Sequence, residues 1–139
     1  MGCFVRDIEI GGFPFAARTQ AWFKRTGDII SGVLSKPCTF DRFQFPAGTW
    51  VRFYIGHRDG RVWDVTLGAD QEVDGIPCKR GTAVLFKFYK RRPYIVACTL
   101  AIDHIVDGRP LSAGAWVELD RKGHLTNLRP PDWDNQRVN

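Results

Sequence analysis

The chain has 139 residues, 44% of them hydrophobic and 25% charged, with 20 Lys and Arg against 15 Asp and Glu for a net charge of +5. That length suits one domain, which can bury roughly two-thirds of its unfolded surface without metal or disulfide staples. No run approaches the ~20 apolar residues of a spanning helix, and MGCFVRDIEI lacks a basic segment followed by a long apolar one, so a soluble cytoplasmic protein with no membrane contact is expected.

Aromatics at 13%, with 14 Gly and 8 Pro, favour β structure over helix. In chain order, the first recognisable segment is GGFPFAARTQAWF (11–23), which matches DRFQFPAGTWVRF (41–53) at an offset of 30. TLGADQEVDGIPCKRGTAVLF (66–86) and TLAIDHIVDGRPLSAGAWVEL (99–119) then share TL, D, VDG, P, G and V at identical spacing. Asp41, Asp74 and Asp107 stand 33 apart, as do Gly48, Gly81 and Gly114. Such a period marks a repeat architecture, here four copies of one unit.

Each unit is predicted to hold three strands: a brief extended piece such as VDGIPC, an alternating strand such as GTAVLF, and a third strand such as RVWDVTL or YIVACTL. The second and third form a hairpin. Its turn is short in copies one and four, FKRTGDI and LDRKGHL, and three residues longer in copies two and three. No window sustains helical spacing. The predicted fold is therefore all-β: four related hairpin repeats of 30 to 33 residues sharing one core, either an open hairpin stack or a closed pseudo-symmetric barrel. Residues 1–128 form this domain, and 129–139 form a Pro-rich polar tail that Trp133 can pin to a surface.

Columns that are apolar in every copy should face the interior. These are Phe4, Leu34, Leu67 and Leu100; Ile10, Phe40, Val73 and Val106; Phe15, Phe45, Cys78 and Leu111. The second strand adds Ala21, Val51, Val84 and Val117, then Phe23, Phe53, Phe86 and Leu119; the third adds Ile29, Val62, Ile95 and Leu125. Trp22, Arg52, Leu85 and Glu118 lie between the two strand columns and read as a variable outer face.

Several residues could carry chemistry. Cys3, Cys38, Cys78 and Cys98 fall at intervals of 35, 40 and 20, which fit no zinc spacing. They are read as free thiols. Cys78 precedes Lys79 and Arg80, as an activated thiolate would, but it occupies an apolar column and is read as a small buried hydrophobe. Asp70 with Asp74, and Asp103 with Asp107, are read as turn residues rather than as a carboxylate dyad or calcium loop. His104 adjoins Asp103, but no nucleophile is placed beside it. No catalytic residue, metal or cofactor is expected.

The lengthened hairpins are RFYIGHRDGRVW (52–63) and LFKFYKRRPYI (85–95). They gather Arg52, Tyr54, His57, Arg58 and Arg61 with Lys87, Tyr89, Lys90, Arg91, Arg92 and Tyr94. Interleaved cations and aromatics suit a protein partner or a second copy of the chain, because Tyr and Arg are frequent interface anchors. They also suit single-stranded nucleic acid or another polyanion. Their bland role is to extend the core and blunt the sheet edges.

The pattern TLAxDxxVDGIPCxxGTxVxF resembles repeats in uncharacterised bacterial proteins and, more distantly, hairpin repeats of the MORN type, over about residues 4–127. That resemblance implies a β-hairpin array with a binding role, and it brings no catalytic residue. Together the observations lead us to expect a non-catalytic binding protein. The alternatives are a polyanion binder and, from a different class, a small enzyme with a pocket around His57 or His104.

Overall fold

The computed structural model describes residues 2–54 and 61–131. Among them the regular structure is entirely β. In chain order the strands are β1 (Gly2–Cys3), β2 (Ile8–Ile10), β3 (Phe13–Phe15), β4 (Gln20–Phe23), β5 (Ile29–Val33), β6 (Cys38–Phe40), β7 (Phe43–Phe45), β8 (Trp50–Phe53) and β9 (Val62–Thr66). They continue as β10 (Gln71–Val73), β11 (Ile76–Cys78), β12 (Ala83–Tyr89), β13 (Arg92–Thr99), β14 (His104–Val106), β15 (Arg109–Leu111), β16 (Trp116–Leu119) and β17 (Leu125–Arg129). His57, Arg58 and Trp133 lie outside the described residues.

Each unit carries two hairpins, not three strands. The stretch expected to be one extended piece folds back on itself, so that Val73 pairs with Ile76 and Gln71 with Cys78. The cause is the intervening Asp74-Gly75, whose φ values of 54° and 80° lie in the left-handed region. A two-residue turn of that kind matches the twist of a tight hairpin. Asp107-Gly108 and Gly11-Gly12 repeat the device in copies four and one.

The long hairpins join into one nine-stranded antiparallel sheet in the order β1-β4-β5-β8-β9-β12-β13-β16-β17. The short hairpins β2–β3, β6–β7, β10–β11 and β14–β15 are separate two-stranded ribbons. The array is open, with β1 and β17 at its edges, and not a closed barrel. The short ribbons cover one face of the sheet. Between the two layers lies a single continuous core containing Phe15, Leu34, Phe45, Val51, Phe53, Val65, Leu67, Cys78, Val84, Phe86, Leu100 and Val117. Burying the apolar side of each hairpin against its neighbours is what lets such small units fold.

The predicted columns are buried through the middle of the array and loosen at its ends. Phe53, Phe86 and Leu119 are in the core, but Phe23 of the same column is 36% exposed. Among the described residues, no short ribbon lies over that position in the first unit. Its ring packs instead edge-on against Phe4, with centroids 5.7 Å apart. Arg109 stands where Phe13, Phe43 and Ile76 pack in earlier units, and it is exposed.

Every long hairpin also contains a β-bulge at the same place. Phe53 pairs with Val62 and Arg52 with Asp64, which leaves Trp63 as the extra residue. Ile30, Val96 and Thr126 are the extra residues of the other three. The extra residue breaks the period of two. It lets both Val62 and Val65 face inward and keeps Asp64 off the core, on the outer face opposite Arg52.

Candidate functional site

The two lengthened hairpins stand side by side, because β9 pairs directly with β12 through Ala83–Thr66, Val84–Val65 and Leu85–Asp64. Strand alternation and the bulge then send a series of rings and cations to one end of the sheet. The Arg52 guanidinium lies 4.8 Å over the Trp63 ring. Trp63 stacks beside Tyr54 at 6.0 Å and 22°. Tyr54 meets Phe88 edge-on at 6.2 Å, and the Arg61 guanidinium lies 5.2 Å from the Phe88 centroid. Cations therefore end both sides of an aromatic ladder that crosses from one hairpin to the other.

Tyr54 is fixed in this ladder because its hydroxyl donates to the Phe86 carbonyl at 2.8 Å. Burial, then the neighbouring Tyr94, raises its pKa, so it remains a neutral donor. Tyr54, Arg61, Lys87, Phe88 and Tyr94 line a cleft of about 310 Å3 between the hairpins. Lys87 and Tyr94 are cross-strand partners, which places an ammonium and a phenol side by side at its wall.

Beyond the cleft, Tyr89 pairs with Arg92 across the last rung of β12 and β13. The turn between them is Lys90-Arg91, at φ values of 50° and 66°. Neither residue is Gly, Asn or Asp, so both bear the steric cost of left-handed backbone. Lys90 Nζ lies 5.5 Å from the Tyr89 centroid, and the Arg121 guanidinium lies 4.2 Å over the same ring. Arg92 reaches back to Asp41 at 3.4 Å. Asp41 also holds Arg42 at 3.4 Å, and Arg42 pairs with Asp74 at 3.1 Å. This network ties the tip of the long hairpin to two of the short ones.

Of the predicted site residues, Tyr54, Arg61, Lys87 and Tyr94 thus share one cleft, and Tyr89, Lys90, Arg91 and Arg92 form the tip beside it. Arg52 does not line the cleft; it joins the ladder through Trp63 and pairs with Asp64 on the outer face of the sheet. Side-chain reasoning from the sequence missed what surrounds that pair. Trp22, Trp50 and Trp63 are 43%, 39% and 40% exposed on the face that no ribbon covers. Trp116 also lies there, with its Nε1–H donating to Glu118 at 3.1 Å. The available signal was the outer column containing Trp22 and Arg52. Without the bulges, the positions of Trp63 and Asp64 within that face could not be read.

The remaining candidates have structural duties. The Asp70 carboxylate accepts the Arg80 N–H at 2.7 Å and Asp103 accepts the Ala113 N–H at 2.8 Å, as Asp7 does from Ala17 at 2.7 Å. Asp74 and Asp107 are the left-handed turn residues described above. Cys78 is fully buried, and its hydrogen bond with the Cys98 thiol, then burial, hold its pKa far above the ordinary range. His104 lines a shallow cavity with Asp103, Ile105, Pro110, Leu111 and Ser112. Among the described residues, no group of three or more His, Cys, Asp or Glu gathers in a way that could hold a metal ion, and no helix is long and apolar enough to cross a membrane. No family model, no curated protein and no solved structure matches the chain.

Proposed function

We propose that this chain is a non-catalytic binding protein whose contact surface is the end of the molecule built by the two lengthened hairpins, and that its partner presents negative charge there. The observation that carries this reading is the convergence of Arg61 and Lys87 with Tyr54, Phe88 and Tyr94 on one cleft, beside the exposed Lys90-Arg91 turn. Cations held at aromatic faces keep their charge while their apolar stems are covered. Asp41 pairs with the tip through Arg92. An acidic protein surface and a nucleic acid both supply the complementary charge, and in a second copy of the chain the exposed acidic turns would have to supply it. The free cysteines suit a reducing, cytoplasmic setting.

Salt dependence tests the proposal. Polyphosphate should bind at low salt and weaken steeply towards physiological salt. Replacing Lys90, Arg91 and Arg92 by Ala should flatten the log–log slope by about 2, at ~0.7 per lost phosphate contact. A protein that retains no polyanion even at low salt would refute the reading.

A further inference from the structure

Among the described residues, no element covers the face of the nine-stranded sheet opposite the ribbons. Its cross-strand rows can be traced from the pairing. One row runs Trp22, Ser31, Arg52, Asp64, Leu85, Ala97, Glu118 and Asn127. The next contains Val33, Trp50, Thr66 and Ala83. The exposed indoles of Trp22 and Trp50 therefore stand two strands and one row apart, about 12 Å at the usual strand and residue spacings, with the buried Ser31 and the half-buried Val33 of β5 between them. The acids of this face are already engaged. Asp64 accepts from Nε and Nη2 of Arg52, and Glu118 accepts from Trp116. Cations stand at the hairpin end of the same sheet: Lys87 on its outer side, Arg61 over the Phe88 ring, and Lys90 and Arg91 in the turn.

We propose that this face binds single-stranded nucleic acid, with phosphates at Arg61, Lys87, Lys90 and Arg91 and bases stacked on Trp50 and Trp22. The inference rests on the anionic-partner reading above and names the class of partner. An open antiparallel sheet with outward rings, and with cations about 15–25 Å away along the same sheet, supplies what several unpaired nucleotides need: a π-face for bases and a positive end for the backbone. A duplex keeps its bases stacked inside and leaves the indoles unused. An acidic polypeptide would use the cations but has no planar groups for the rings.

The experiment is an equilibrium titration at low salt, read by intrinsic tryptophan fluorescence and by anisotropy of a labelled ligand. The ligands are oligothymidylate of about 16 nucleotides, the upper end of a single-module site, polyphosphate of matched charge, and polyglutamate. The expected result is quenching by the oligonucleotide and binding at least about tenfold tighter than polyphosphate. Trp22→Ala and Trp50→Ala should each weaken oligonucleotide binding about 5- to 150-fold, from stacking energies of ~1–3 kcal/mol per base, and leave polyphosphate binding unchanged. Oligonucleotide binding no tighter than polyphosphate overturns the inference and leaves the cationic-end reading standing. So does a preference for polyglutamate. Failure of every polyanion to bind removes both. The wild-type comparison of ligands decides the matter even where a Trp variant folds poorly.

Discussion

Arg52 and Asp64 face each other across β8 and β9 as a forked pair, with Arg52 Nε donating to Asp64 Oδ1 at 2.7 Å and Nη2 donating to Oδ2. The two ends of this pair sit in different surroundings. The Asp64 side chain is 8% exposed and that of Arg52 43%. Removing Arg52 strands a buried carboxylate, whereas removing Asp64 leaves a guanidinium that can turn into water. Arg52→Ala should therefore cost more, about 2–3 kcal/mol against about 1 kcal/mol for Asp64→Ala, given the penalty for an unsatisfied buried group. Urea denaturation of both variants checks the order, and equal losses would contradict it.

The Lys90-Arg91 turn makes the opposite kind of prediction. Both residues occupy left-handed backbone, where Asn-Gly is the favoured pair for a two-residue hairpin. Replacing them by Asn-Gly should stabilise the fold by about 1 kcal/mol or more, since each strained residue costs roughly that much. The same change removes two cations from the proposed contact surface. A rise in melting temperature together with weaker polyanion binding is expected. Unchanged stability would mean that the strain is not borne by the turn, and unchanged binding would detach the tip from function.

The thiols divide sharply. Cys3 is exposed, and Cys38, Cys78 and Cys98 are buried. A thiol-reactive chromophore should titrate Cys3 alone in the native protein and the others only on unfolding. Burial, then Glu9, raises Cys38, and the Cys98 contact, then burial, raises Cys78. A folded thiol that keeps its proton while the unfolded one loses it contributes stability that is complete below the unfolded pKa. That contribution falls as pH rises above about 8.5. Stability should then decline by up to ~1.4 kcal/mol per pH unit for Cys78 alone between about pH 8.5 and 10. Measured by urea titration, the decline should be shallower in Cys78→Ala, whatever that variant's stability at neutral pH.

The repeat made most of the fold legible. Asp41, Asp74 and Asp107 at equal spacing fixed the units, and the shared apolar columns fixed which residues meet in the interior. Phe53 and Phe86 are buried for that reason. Phe23 was misplaced because a column states what a position does inside the array and says nothing of its ends. The second hairpin of each unit was hidden because three-residue strands are too short for alternation to register. The site was half visible. Charge and aromatic content located Lys87, Tyr94 and Lys90, but a one-residue bulge at Trp63 shifts every later side chain to the other face, so the exposed tryptophan face emerged only from the register.

The joint between the two central units supplies a last test. Gly68 follows β9 and lies against the preceding unit, where an added Cβ would come within 2.5 Å of the Ala47 carbonyl oxygen, 2.7 Å of the Gly48 carbonyl carbon and 2.9 Å of the Thr49 nitrogen. These are backbone atoms and cannot swing aside. The Gly68 N–H also donates to the Thr49 hydroxyl at 3.1 Å, and Thr49 is fully buried. Gly68→Ala must therefore push the two units apart or bend the chain after β9, at about 1–3 kcal/mol, the usual range for overpacking. Because each unit is held mainly by its neighbours, the opening should not stay local. Hydrogen exchange should accelerate in β8 and β9 of one unit and β12 of the next, while the strands at the array's ends keep their rates. Faster exchange confined to Gly68 and its immediate turn would show that the joint does not transmit strain, and that the units are more independent than a shared core requires.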